Sequence, residues 1–257
     1  MNPTTPAVIV GMGELGGSFA RGLLRIGHPV VPVLRRTAIA DVAAEYPEPV
    51  LTLVTVGEAD LDNTLANLPA EWKSNTVLVQ NELLPRSWMP HDITDPTVAV
   101  VWFEKKPGRS ELSIIPTPIA GPGADLLTRA LRTIDVPAFV VESQDELLYE
   151  LVRKNMYILT VNIGGLTTRG SVADLWYNNR KLAEDVAADV LKVQAWLTGA
   201  ELDSDALMTG MVEAIDGDPE HGSTGRSAPA RLARAISHAD EAGLEVPKLR
   251  EIAASLE

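Results

Sequence analysis

The sequence predicts an α/β protein in two parts, a doubly wound parallel sheet followed by an all-helical domain. Three observations carry that expectation. Short apolar strands alternate with helical segments through the first half, the pattern of βαβ units. The strands are continuous apolar runs, such as VLTLVTV at Val50–Val56, as expected where both faces of a sheet are covered. From about Ser143 the periodicity is helical almost to the end. The expected division is therefore residues 1–142 and 143–257.

Taken in order, Ala7–Val10 is the first strand. Leu15, Phe19, Leu23 and Leu24 recur at helical spacing, and the helix should stop at Gly27. Val30–Leu34 is the second strand, and its Pro32 suits an edge or a bulge. A short Ala-rich helix (37–46), the strand Val50–Val56, a helix over Leu61–Leu68 and the strands Thr76–Val79 and Val98–Trp102 follow. Glu111–Ile115 and Pro118–Ala120 read as further extended pieces. Ala124–Ile134 is helical, and Ala138–Val141 closes the sheet. Ser143 with Glu146 three residues later is a capping-box arrangement that opens the helical part. Helices are expected over Arg180–Leu197, Ser204–Ile215, Ala230–Ala242 and Lys248–Leu256. Asp216–Pro229, rich in Gly, Ser and Pro, is the one obvious loop.

Bulk properties narrow the function. The 257 residues carry a net charge of −13 and no cysteine, which excludes disulfides and thiolate chemistry. The histidines, His28, His91, His221 and His238, lack the spacing of metal ligands. No basic stripe suggests a nucleic-acid partner, and no apolar run reaches the roughly 20 residues of a membrane span. The start of the chain lacks a basic region followed by a long apolar one, so no signal peptide is read there. A cytoplasmic protein without metal is expected.

The stretch VIVGMGELGGSFA places four glycines within seven positions, directly after a strand and opening a helix. Gly11, Gly13 and Gly16 form GxGxxG. In that context the first glycine permits a tight turn, the second lets a pyrophosphate approach the backbone, and the third lets the helix pack closely. The helix N-terminus adds free N–H donors and partial positive charge. The expectation is a Rossmann dinucleotide site built from Gly11, Met12, Gly13, Glu14, Leu15 and Gly16. Glu14 is the awkward member, because its carboxylate must point away from the phosphates. An NAD site has an acid about 20 residues beyond the glycines, on the ribose 2′-hydroxyl. Here the sequence is VLRRT, and Arg35 and Arg36 can instead clamp a 2′-phosphate. NADP(H) is the expected cofactor.

In the helix containing Tyr149–Gly165, the residues Leu147, Leu151, Lys154, Ile158, Asn162 and Gly165 fall within about 80° of one another. That face is otherwise apolar and should be buried. A lysine there needs a purpose or a partner. Desolvation would lower its pKa and make it a usable proton donor near neutrality. The alternative is a snorkelling lysine with a packed stem.

Together these pieces resemble one family. GMGELG with LRR after the second strand, LVQN at Leu78–Asn81, RKNMYILTVNIGGL, GSTGR at Gly222–Arg226 and EAGLEVP at Glu241–Pro247 are similar, in order, to the ketopantoate reductases. These belong to the superfamily of 6-phosphogluconate-dehydrogenase-like reductases. The resemblance implies NADPH-dependent reduction of a 2-oxo acid to a 2-hydroxy acid, as in pantothenate biosynthesis. It implies Lys154 as the proton donor, Asn162 and Ser223 as substrate-binding residues, and Asn81 beside both nicotinamide and substrate. It also implies a possible homodimer. The chain departs from the family pattern where Gly57 replaces a lysine, Ile158 an asparagine, Glu82 a glycine, and where Pro229 stands near a glutamate position. Those departures leave two outcomes open, a bulkier or more apolar 2-oxo acid and a lost activity.

Two other readings stay open. GMGELGGSFARGL also suits a prephenate-dehydrogenase-like oxidoreductase, although no histidine stands near a matching motif. A degenerate reductase could keep NADPH and act as a sensor or partner module without turnover. Lys105, in the turn EKKPG, could reach a substrate carboxylate.

Overall fold

The computed structural model describes residues 4–256; the first three positions of the stretch read as lacking a signal peptide lie outside them. The chain divides into two compact units, Met1–Glu150 and Leu151–Glu257. The change of sequence pattern at 142 marks the start of a long helix, and the division between the units falls inside that helix.

The first unit runs β1 (Ala7–Val10), α1 (Glu14–Arg25), β2 (Val30–Val33), α2 (Ile39–Glu45), β3 (Thr52–Val54), α3 (Leu61–Ala66), β4 (Thr76–Leu78) and β5 (Thr97–Ala99). It continues with β6 (Phe103–Glu104), β7 (Leu112–Ser113), β8 (Thr117–Ala120), α4 (Ala124–Arg132) and β9 (Ala138–Val140). Seven strands form one sheet in the order β2-β1-β3-β4-β5-β8-β9. Pro32 lies on the edge strand β2, beside Ile9 of β1, so the missing N–H interrupts no central ladder.

The sheet is mixed rather than wholly parallel. β1 to β5 run parallel, but β8 pairs antiparallel to β5, with Val98 opposite Ala120. The reason is the connection: no helix lies between β5 and β8, and a parallel neighbour needs a long crossover. Two shorter strands occupy that stretch instead. β6 and β7 form a separate antiparallel hairpin, so the segments read as Val98–Trp102 and Glu111–Ile115 each contribute to elements shorter than the sequence suggested. The α4 crossover restores parallel pairing between β8 and β9.

The core of this unit lies between the sheet and the pair α1 and α4. Phe19 and Leu23 of α1, Leu127 and Leu131 of α4, and Ile9, Leu53 and Ile119 of the sheet are fully buried. Gly22 brings the two helices together, since a Cβ there would lie 2.6 Å from the carbonyl oxygen of Ala130. α1 ends where expected, with Gly27 at φ +91°.

The helix α5 (Gln144–Thr168) begins with the Glu146 amide donating to the Ser143 hydroxyl at 3.1 Å. The second unit then contains the rest of α5, a π-helical turn at Asp174–Asn178, α6 (Arg180–Thr198), α7 (Ser204–Gly217), α8 (Ala228–Ala242) and α9 (Pro247–Ala254). From Leu151 to Gly165, α5 is buried on every side apart from the half-buried Ile158. It therefore has no single buried face of the kind the periodicity suggested. Its polar residues point outward to different helices. Arg153 donates to the Gly210 carbonyl and to Glu213 of α7, each at 2.9 Å. Asn155 donates to Gln194 of α6 at 3.0 Å. Asp189 of α6 accepts from the Lys248 amide at 2.8 Å and so caps α9. No helix among the described residues is long and apolar enough to cross a membrane.

Candidate active site

The glycine loop has the form the sequence implied. Gly11 sits at φ +96°, a left-handed conformation that strains any other residue. A Cβ on Gly16 would overlap the Gly11 carbonyl and lie 2.8 Å from the Thr55 hydroxyl, so α1 could not dock with a larger residue there. Gly13, the N-cap of α1, faces open space: a Cβ placed on it would have nothing within 4 Å. Beside the loop lies a cleft of about 600 Å³ lined by Gly11, Met12, Gly13, Arg35, Thr55 and Gly57, among others. It sits at the carboxyl ends of β1, β2 and β3, where doubly wound sheets bind ligands.

Both Arg35 and Arg36 are exposed, and of the two only Arg35 lines this cleft. Leu15 is half-buried in the first turn of α1. Glu14 has a counter-ion: Lys105 Nζ stands 3.4 Å from its carboxylate. Lys105 comes from the turn between β6 and β7 and also donates to the Lys106 carbonyl at 3.0 Å. The lysine considered for a substrate carboxylate thus faces the glycine loop.

Asn81 follows β4 and donates to Glu58 at 3.2 Å. Its neighbour Gln80 is a structural brace, donating to the Val54 and Val56 carbonyls at 2.8 and 3.3 Å. Glu82 adopts φ +58°, a left-handed conformation uncommon for a residue other than glycine. Gly57 opens directly onto the cleft, with nothing within 4 Å of a Cβ.

The second unit holds Lys154, Asn162 and Ser223. Lys154 is 8% exposed. Burial, and then the positive charge of Arg231, push its pKa down from 10.5 to about 7. Its ammonium also lies 5.8 Å from the centre of the Tyr157 ring. Asn162, two turns further along α5, accepts a hydrogen bond from the Arg231 guanidinium. Ser223 is fully buried, and its hydroxyl donates to the Gly170 carbonyl at 2.7 Å. Gly165 makes room for it, because a Cβ there would lie 2.6 Å from the Ser223 hydroxyl oxygen.

Arg231 is the residue the sequence reading missed. It lies on α8, two residues after Pro229, is buried, and gathers with Lys154 and Asn162. The outcome is a buried cluster with two basic side chains and an amide. Such a cluster suits an oxyanion or a carboxylate.

No protein-family model matches the sequence, and no curated protein matches it. Solved structures match along nearly the whole chain. A ketopantoate reductase from Staphylococcus aureus, described as dimeric with kinetic cooperativity, superposes with a TM-score of 0.67 at 16% identity, covering 98% of this chain and 97% of that one. A 2-dehydropantoate 2-reductase from Methylococcus capsulatus gives a TM-score of 0.68 at 13% identity over 98% and 95% of the two chains. D-mandelate dehydrogenase in complex with NADH gives 0.68 at 14% identity over 97% and 96%. The chain therefore has the fold of the ketopantoate reductases, a Rossmann-type sheet followed by a helical region.

Proposed function

We propose that the protein reduces a 2-oxo acid to a 2-hydroxy acid with NADPH, and that Lys154 donates the proton. The observation that carries this reading is the buried Lys154 beside Arg231, with a pKa near 7. A lysine of that kind is half protonated at neutral pH and gives up its proton readily.

The residues of the first unit fit a dinucleotide. Gly11 turns the chain, Gly13 leaves space for a phosphate, and the amides at the start of α1 point toward it. Arg35 would hold the 2′-phosphate, with Arg36 as an outer charge. Asn81 would orient the nicotinamide and the substrate. When bound, the nicotinamide supplies the hydride to the carbonyl carbon. The chain's own residues manage the oxygen. Lys154 stabilises the negative charge that grows there and delivers a proton from Nζ, leaving a neutral amine. Arg231 contributes a second positive charge suited to the substrate carboxylate. Asn162 holds that guanidinium in place, and Ser223 fixes the segment that leads into α8.

The substrate we favour is a 2-oxo acid with an apolar side chain. Gly57 and Ile158 provide no polar group, and the D-mandelate dehydrogenase neighbour is named for a 2-hydroxy acid with an apolar side chain, the reduced form of such a 2-oxo acid. A homodimer fits the same reading, supported by the dimeric neighbour from Staphylococcus aureus.

The test is NADPH oxidation against a panel of 2-oxo acids, ketopantoate included, beside Lys154→Ala. Turnover that disappears in the variant supports the proposal. NADPH binding with no turnover on any acid would instead favour a cofactor-binding module, the reading that Gly57 and Pro229 motivate.

A further inference from the structure

Glu14 is a carboxylate at the first helical position of the phosphate-binding loop, and it is half exposed. Lys105 reaches it from a different part of the chain, and the lysine side chain is only 13% exposed. Its position is fixed by three other contacts between the hairpin and α1. Glu111 accepts a short hydrogen bond from Ser18 and pairs with Arg21. The Phe103 ring packs against Phe19 with centroids 6.0 Å apart. The arginine and the serine hold the Glu111 carboxyl below its usual range, although burial opposes them. The hairpin is thus clipped along α1, and Lys105 is delivered to the N-terminal end of that helix.

We propose that Lys105 is a phosphate-binding residue of the dinucleotide site, held by Glu14 until the cofactor arrives. The inference rests on the cofactor reading above. Glu14 and Lys105 stand 3.4 Å apart, longer than a tight charge-assisted hydrogen bond. A pyrophosphate over Gly13 carries more negative charge than one carboxylate, and it approaches from the open side of the loop. Lys105 turns its ammonium to the phosphate oxygens, while Glu14 swings toward solvent. The pair resolves the conflict of an acid within a phosphate loop. No bond is made or broken beyond these hydrogen bonds.

The experiment is a fluorescence titration of NADPH into the full-length protein and the variants Lys105→Met, Glu14→Gln, the double variant, and Lys106→Met. Lys106 is the control, because it is exposed and pairs with Glu104 at 2.7 Å. Lys105→Met should weaken binding roughly ten- to hundredfold, in the wild-type and in the Glu14→Gln background alike. Lys106→Met should leave it unchanged, and Glu14→Gln should tighten it. If Lys105→Met has no effect once Glu14 is gone, the lysine only neutralises that acid and the proposal falls. An equal loss in Lys106→Met would show a general charge effect and overturn it too. If the wild-type protein binds no dinucleotide, the cofactor reading itself fails, and this inference with it.

Discussion

The Arg231 guanidinium of α8 donates to the side-chain oxygen of Asn162 on α5, which ties the second cation to the helix that carries Lys154. The charge of Arg231 is the second cause, after burial, of the lowered Lys154 pKa. Arg231→Met should therefore raise that pKa part of the way toward 10.5. A proton donor works below its pKa, so the fall in turnover at alkaline pH should move to higher pH in the variant. The pH dependence of kcat measures this directly. An unmoved profile would separate Arg231 from the titrating lysine.

Lys154→Ala should cost about 10²- to 10⁴-fold in kcat, the usual contribution of a positioned acid. NADPH affinity should stay near the wild-type value, because the glycine loop lies in the other unit. Steady-state kinetics paired with cofactor titration separates the two effects.

The same lysine shapes stability. Its folded pKa of about 7 lies below the ordinary value of 10.5, so the unfolded chain binds more protons between those values. The cost of holding the lysine in the fold is fully present below about pH 7. It falls as the pH rises and is gone above 10.5. Lys154→Met should stabilise the protein at neutral pH by on the order of a few kcal/mol, with the gain shrinking toward about pH 10. Urea denaturation at several pH values provides the reading.

Two glycine substitutions should behave differently. Gly13→Ala adds a methyl group that touches nothing in the protein, so its melting temperature should hardly change while dinucleotide binding weakens. Gly16→Ala forces a methyl group against the Gly11 carbonyl and the Thr55 hydroxyl. It should cost about 1–3 kcal/mol, as overpacking does. Thermal melts with and without NADPH distinguish them.

Arg35 lines the cleft and Arg36 does not. Arg35→Ala should weaken NADPH more than NADH by about tenfold or more, the range for a hydrogen-bonded charge on phosphate. Arg36→Ala should shift that preference far less. Equal losses for both coenzymes would show that Arg35 does not read the 2′-phosphate.

Local features of the fold were legible in the sequence. The βαβ rhythm, the glycine loop and the Ser143 cap each depend on neighbours within a few residues. The reversal at β8 was legible in principle, since the stretch from Val100 to Pro116 contains no helical pattern. It escaped because short apolar pieces look alike whichever way they run. The buried face assigned to α5 came from a periodicity that the structure replaces with burial all round, where Arg153 and Asn155 are satisfied by α7 and α6. Arg231 lies 69 residues from Asn162. Within ARLARA it reads as an ordinary solvated arginine, and only tertiary packing gives it a role.

The depressed pKa of Lys154 also has a purely chemical consequence. An ordinary lysine amine carries a free lone pair in fewer than about one molecule in a thousand at about pH 7. Lys154 does so in about half of them. It is therefore a standing nucleophile as well as an acid, and small acylating or carbonyl reagents that reach its amine should modify it ahead of the surface lysines. Peptide mapping after brief labelling would mark the site without any knowledge of the natural substrate, and a bound 2-oxo acid should shield it.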